Sequence, residues 1–325
     1  MLRRCLLLLA ALLCCSAPAA YAQTAPNHQV FLPAVRDPGR FIVFSTDPLR
    51  VGDVRMVIQR VGGGGVREFK PAVGRRFVSS PDWSPDGKLI AFLANDWDQP
   101  YELYVAAPDG SQVRLLTRLP NIHTSLSEPL WSPDSSRIAL VQNDGSDGSK
   151  YSLFVINADG TGLRRLTTSP GTDRDVSWSP DGRQIVFSRM DNTTFVRKLI
   201  VLDMETGAEQ ELVTGDKDPR SPAWSPDGAT IAYTTGLRAL MLIGPDGSGR
   251  RPLFEAGGDA SVGVNTVHAW SPDGRQVVAR MLRGQEIRFE LFPVGGGEPV
   301  PVEAALLPSN TEIVDTFSWG PQNLP

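Results

Sequence analysis

Trp178-Ser179-Pro180-Asp181-Gly182 decides the fold, because the chain repeats it. The same five residues stand at Trp83–Gly87, Trp224–Gly228 and Trp270–Gly274. Trp131–Ser135 changes only the last residue, and Trp319-Gly320-Pro321-Gln322 is a worn sixth copy. Successive tryptophans lie 48, 47, 46, 46 and 49 residues apart, and the series uses six of the seven tryptophans, so chance is a poor explanation. A fixed period of roughly 40 to 50 residues marks a propeller or solenoid array. Within each copy, Pro presets φ for the second position of a type I turn, and Asp and Gly suit the positions that follow. The Gly supplies the positive φ that closes a short hairpin. Ser135 stands where Gly is otherwise used, so about 1 kcal/mol of strain is expected there. The Trp is expected to be the large apolar anchor between neighbouring units. Turn chemistry accounts for every residue of the motif, which is therefore read as structural.

Working outward, each turn is followed by a short apolar run: Leu89–Phe92, Ile138–Val141, Ile185–Phe187, Ile231–Tyr233 and Val277–Ala279, with Phe41–Phe44 as a first member. Residues of both parities are apolar, which describes a strand buried on both faces. A second strand, a Gly-containing turn such as Asp109-Gly110 or Asp159-Gly160, and a third short strand such as Val113–Thr117 complete each unit. With the Trp-bearing stretch this makes four antiparallel strands, the content of a propeller blade. Residues 41–70 supply three strands with no Trp strand before them, and residues 314–319 supply a Trp strand with nothing after it. One composite blade from both ends leaves no open edge. The expected fold is all-β: a six-bladed β-propeller over 41–325, preceded by a signal peptide at 1–22 and an arm at 23–40.

The leader reading rests on Arg3 and Arg4, an apolar run from Cys5 to Cys15 too short to span a bilayer, and the small-residue site Ala20-Tyr21-Ala22 before Gln23. Export to the periplasm or outside the cell follows; a lipoprotein fits less well, because Leu13 and Cys14 occupy positions where a lipobox wants small residues. All three cysteines, Cys5, Cys14 and Cys15, lie in this leader, so no disulfide, thiolate or Cys-ligated metal is expected beyond it. Without Arg3 and Arg4, 30 basic residues face 36 acidic ones, a formal charge of −6. That disfavours nucleic acid and anionic membrane as partners. No later segment reads as membrane-spanning.

Alternating strand direction puts the Ser-Pro-Asp-Gly turns and the Gly-containing turns on one face. The longer loops, where binding residues collect, lie on the other. Approaches to the Trp strands converge there on the central channel and carry Ser80, Glu128, Asp173, Arg174, Asp175, Asp218, Arg220, Asn265, His268 and Asp315. This mixed polar rim suits a peptide segment or a small polar ligand. It reads equally as a solvated mouth with internal ion pairs, such as Arg174 with Asp218. Asn143–Gly148 has a faint likeness to a calcium loop but lacks the ligand spacing. Trp97, outside the repeat, is either an exposed contact or packed on Tyr101. His268, two residues before Trp270, is expected to point as that Trp does. No nucleophile elbow, paired-His metal spacing or phosphate loop occurs. No catalytic residue, metal or cofactor is assigned.

At the repeats the chain resembles the TolB-type propeller family. Ile90-Ala91-Phe92, Leu103-Tyr104-Val105, Asp109-Gly110 and Leu116-Thr117 match that family's repeat in order. The resemblance covers residues 41 to 320 and implies a six-bladed propeller in the periplasm or outside the cell. It also implies docking of a partner protein on the channel face. The first functional reading is a monomeric, non-enzymatic, exported scaffold for a protein or peptide of the cell envelope. The alternatives are a metal-dependent propeller enzyme of lyase or lactonase type and a sugar-binding propeller.

Overall fold

Each repeat turn is tied by its own side chains. Ser179 Oγ accepts the amide of Gln184 at 2.9 Å and donates to Asp181 Oδ1 at 2.7 Å. That Asp oxygen also accepts the Arg183 amide at 3.0 Å. Ser84 with Asp86, Ser132 with Asp134, Ser225 with Asp227 and Ser271 with Asp273 repeat the arrangement. Gly182 closes its turn at φ 69°, and Ser135 adopts the same left-handed conformation at φ 59°. The Ser135 hydroxyl compensates by accepting the Asp86 amide of the preceding repeat at 3.0 Å. The serine–aspartate pair also holds the Asp181 carboxyl below its usual range, through Ser179 first and the Arg183 amide second.

The computed structural model describes residues 41–45, 56–60, 66–69, 71–75, 77–96, 99–118, 128–143, 150–212, 217–259, 261–301 and 318–319. These residues form strands and connections without a helix. Strands β1 (Phe41–Ser45), β2 (Met56–Arg60) and β3 (Val66–Phe69) begin one sheet. Five complete sheets of four follow, the first being β4 (Phe77–Trp83), β5 (Ile90–Asn95), β6 (Glu102–Ala106) and β7 (Arg114–Arg118). The second holds β8 (Leu130–Trp131), β9 (Arg137–Asn143), β10 (Tyr151–Asn157) and β11 (Arg164–Arg165). The third holds β12 (Thr172–Trp178), β13 (Gln184–Met190), β14 (Arg197–Asp203) and β15 (Glu209–Glu211). The fourth holds β16 (Pro219–Trp224), β17 (Ile231–Thr235), β18 (Ala239–Ile243) and β19 (Arg251–Glu255). A further sheet holds β20 (Val262–Trp270), β21 (Gln276–Arg283), β22 (Glu286–Pro293) and β23 (Val300–Pro301). Finally β24 (Ser318–Trp319) pairs with β1, Ile42 opposite Trp319 and Val43 opposite Ser318. Among the described residues the sheets therefore number six, and one of them joins strands from near both ends of the chain.

The two-sided apolar runs behave as their composition requires. All six residues of β5 are buried. Among the described residues, apolar cores lie between consecutive sheets rather than inside any one. Met56 and Ile58 of the composite sheet pack with Trp83 and Ile90, and Leu103 and Val105 with Trp131 and Ile138. Tyr151 and Leu153 pack with Trp178, Leu199 and Val201 with Trp224, and Leu240 and Leu242 with Val264. A sheet in such a stack has no core of its own, so its stability is shared with both neighbours.

The tryptophans are polar fasteners as well as anchors. The indole N–H of Trp131 donates to the Asp82 carbonyl, that of Trp178 to the Leu130 carbonyl and that of Trp270 to the Ala223 carbonyl, at 3.1, 3.2 and 2.9 Å. In each case the acceptor is the residue just before the preceding repeat's Trp. Side chains at the position before a Trp also accept: Asp82 Oδ2 takes the Trp131 amide at 2.7 Å, and Ser177 Oγ, before Trp178, the Trp224 amide at 3.2 Å.

Candidate functional site

The ladders fix which loops share an end. Trp178 pairs with Ile185 beside the Ser-Pro-Asp-Gly turn, and Thr172 pairs with Met190 at the far end of the same two strands. The approaches to the Trp strands therefore sit with the β5–β6, β9–β10 and β13–β14 connections, opposite the repeat turns. Each Trp strand is the first strand of its sheet, so its outer edge is unpaired by any ladder.

That edge is not regular. In β4, β12 and β16 the register slips between Ser79 and Asp82, Arg174 and Ser177, and Arg220 and Ala223. Ser80, Asp175 and Ser221, each three residues before its Trp, take φ values of 53°, 54° and 48°. A bulge bends its strand and re-aims side chains, and a left-handed non-glycine residue costs about 1 kcal/mol or more. Three sheets thus repeat a strained kink at one height. Asp175 shows the result: its Oδ2 accepts the Ser188 hydroxyl at 2.7 Å and the Ser221 amide of the next sheet at 3.2 Å.

The other rim candidates divide by burial. Asp173 is 2% exposed and engaged: Arg189 Nε donates to it at 2.6 Å and the Thr167 hydroxyl also donates. Arg189 reaches on to Glu209, so the chain of charges crosses the sheet from β12 to β15. Burial pushes the Asp173 carboxyl up, against the pull of Arg189. Asp218, half-buried at φ 54°, accepts Arg197 Nε at 2.8 Å and Arg220 Nε at 2.7 Å. Burial works against its charge, but Arg220 and Arg197 hold its carboxyl below the usual range. The expected pair of Arg174 with Asp218 is therefore not formed. Asp218 takes the arginines of its own end of the sheets, and the Arg174 guanidinium lies 5.9 Å from the Tyr151 ring centroid. Glu128 and Asn265 are exposed. His268 stands at a register shift between Val267 and Ala269. Asp315, Trp97 and residues 144–149 lie outside the described residues.

The residues brought together are thus Asp175 with Ser188 and Ser221, and Asp218 with Arg197 and Arg220. Sequence reasoning missed Arg197, Ser188 and Ser221. The spacing of three residues before each Trp was available as a signal for Ser221, since Ser80 and Asp175 hold the same place. Arg197 gave none, because nothing in β14 marks which of its residues faces the next sheet. Among the described residues no cluster of three His, Asp or Glu is arranged to hold a metal, and no helix is long and apolar enough to cross a membrane.

Among the described residues, six antiparallel sheets of four, five consecutive pairs of them sharing an apolar core and one sheet built from both chain ends, define a six-bladed β-propeller. The family described as the TolB beta propeller domain matches residues 52–236, more than half of the chain, and the chain belongs to that family. The Tol-Pal system protein TolB of Bordetella pertussis is 38% identical over 114 residues, 35% of this chain and 25% of that protein. The match thus spans about a quarter of the length of the curated relative. Among solved structures, TolB from Acinetobacter baumannii superposes with a TM-score of 0.64 at 17% identity, over 88% of this chain and 67% of that one. A putative TolB from Agrobacterium tumefaciens gives 0.56 at 20% identity, over 81% and 88%. An oligogalacturonate lyase in complex with manganese gives 0.55 at 15% identity, over 82% and 73%. These structural likenesses speak for the fold alone.

Proposed function

We propose that the chain is an exported, non-enzymatic scaffold of the cell envelope that takes a protein or peptide segment on the face opposite the Ser-Pro-Asp-Gly turns. The observation that carries the reading is the repeated left-handed bulge at Ser80, Asp175 and Ser221. It places short polar groups at one height on β4, β12 and β16, whose outer edges carry no ladder partner among the described residues. An extended segment needs partners for its own amides and carbonyls, and a rigid polar edge supplies them. Arg174, Asp218 and Arg220 add mixed charge around it, which orients a partner more than it adds affinity. The relatives' membership of the Tol-Pal system supports an envelope protein as the partner. Periplasmic or secreted placement accords with the leader-like residues 1–22, and a monomer accords with a ring closed on its own ends.

The test is site-specific photo-crosslinking in an envelope fraction. A crosslinking residue at position 220 or 265 is expected to trap one discrete protein or peptide species. The same residue at 207, on the turn face, traps none. Equal trapping at all three positions contradicts the reading, as does metal-dependent turnover of a sugar acid or lactone by the purified chain.

A further inference from the structure

A cleft of about 300 Å³ lies at the loop end of the sheet formed by β4 to β7, lined by Arg75, Gln99, Pro100, Glu102 and Arg118. Its floor is Glu102, 3% exposed at the start of β6. The carboxylate accepts Arg75 Nε and Nη2 at 2.8 Å each, Arg118 Nε at 2.9 Å and the Tyr104 hydroxyl at 2.6 Å. Two carboxylate oxygens offer about four acceptor positions, so Glu102 has none left for a ligand. Arg75 is engaged at all three nitrogens, its Nη1 donating to Asp96 at 3.1 Å, and keeps two of its five N–H groups.

Arg118 differs. The β6–β7 ladder sets it opposite Glu102, which fixes its Nε. Among the described residues none takes its two terminal nitrogens, and its side chain is 72% exposed. The cleft therefore presents a guanidinium edge pinned at its base, in a cluster where Arg75 and Arg118 together balance Glu102 and Asp96. A pinned guanidinium loses less rotamer freedom on binding than a free one and meets a planar oxyanion with two parallel hydrogen bonds. Gln99, exposed on the facing loop, offers an amide to hydroxyl groups. The volume sits at the small end of the range for ligand sites.

We propose that this cleft binds a small hydroxylated organic carboxylate, with Arg118 receiving the carboxylate and Gln99 a hydroxyl. No residue of the channel rim lines it, so the proposal stands apart from the partner-binding reading.

Isothermal titration of the full chain with gluconate, glucose and inorganic phosphate tests it. Gluconate is expected to bind saturably, in the range of roughly 0.1 to 1 mM that so few contacts allow. Glucose, which lacks the carboxylate, is expected not to bind. Arg118→Gln should weaken gluconate at least tenfold, and Arg118→Lys should not restore it, because the fork is lost. Gln99→Ala should weaken gluconate and leave acetate unchanged. Thermal midpoints of the variants matching the wild type show that folding is intact, as the exposure of both side chains leads one to expect. Glucose binding as well as gluconate, phosphate binding more tightly than gluconate, unchanged binding by a folded Arg118→Gln, or no saturation below about 20 mM each overturns the proposal.

Discussion

Eight described residues other than glycine take a positive φ, and what surrounds each decides what the strain is for. Leu237 follows Gly236 in a three-residue hairpin loop at φ 55°, with the residue 46% exposed. Its carbonyl accepts the Val264 amide of the next sheet at 3.0 Å, a bond that glycine would keep, and no side-chain bond is made there. Leu237→Gly is therefore expected to stabilise the protein by about 0.5–1 kcal/mol, read as a higher urea midpoint at unchanged slope. Ser135→Gly relieves the same backbone penalty but removes the acceptor of the Asp86 amide, so its midpoint should hardly move. Ser179→Ala should cost about 1–2 kcal/mol, because the hydroxyl is 3% exposed and its loss strands the Gln184 amide. Asp181 adds a pH dependence. Its folded carboxyl sits below its unfolded value, so its stabilisation is present above that unfolded value and is lost as pH falls through the folded one. The urea midpoint should fall below about pH 4, and the fall should be shallower in Asp181→Asn.

At the scale of the element, the sheets were legible where their residues were apolar and illegible where they were charged. The runs Leu89–Phe92 and Ile185–Phe187 declare two buried faces by themselves, and the structure buries them in the cores between sheets. Asp173 looked like a rim residue because it opens a Trp strand. Its partners, Arg189 on β13 and Glu209 beyond it, lie 16 and 36 residues away, and no periodic pattern connects them. A bulge compounds the difficulty, since one extra residue sends every side chain before it to the other face. The network makes its own prediction. Arg189→Met leaves the Asp173 carboxylate buried without a countercharge and should cost about 3–5 kcal/mol at neutral pH. Burial already raises that carboxyl. Losing the arginine raises it further, so protonation removes the penalty and the deficit should shrink as pH is lowered from 7 to 5. A deficit that is constant over that range, followed by chemical denaturation, speaks against the buried charge as its cause.

At the scale of the whole molecule, the count of tryptophans foretold the count of sheets, because the repeat is the unit that must be cored against a neighbour. The candidate site was only half legible. Position three before each Trp predicts a kink wherever Ser or Asp stands, but whether a charge there meets solvent or another charge depends on the adjacent blade. All of this presupposes that the two ends of the chain meet. Val43 and Ser318 are Cα partners in that junction, and no cysteine lies after Cys15 to interfere. Partners across an antiparallel ladder lie about 4.5–5.5 Å apart, within disulfide reach. The decisive measurement is the mass and thermal midpoint of Val43→Cys/Ser318→Cys after mild oxidation. An intramolecular disulfide in nearly every molecule, with a midpoint raised over the reduced form, is the predicted result. Free thiols or disulfide-linked dimers, with no rise in midpoint, would contradict a ring shut by its own ends.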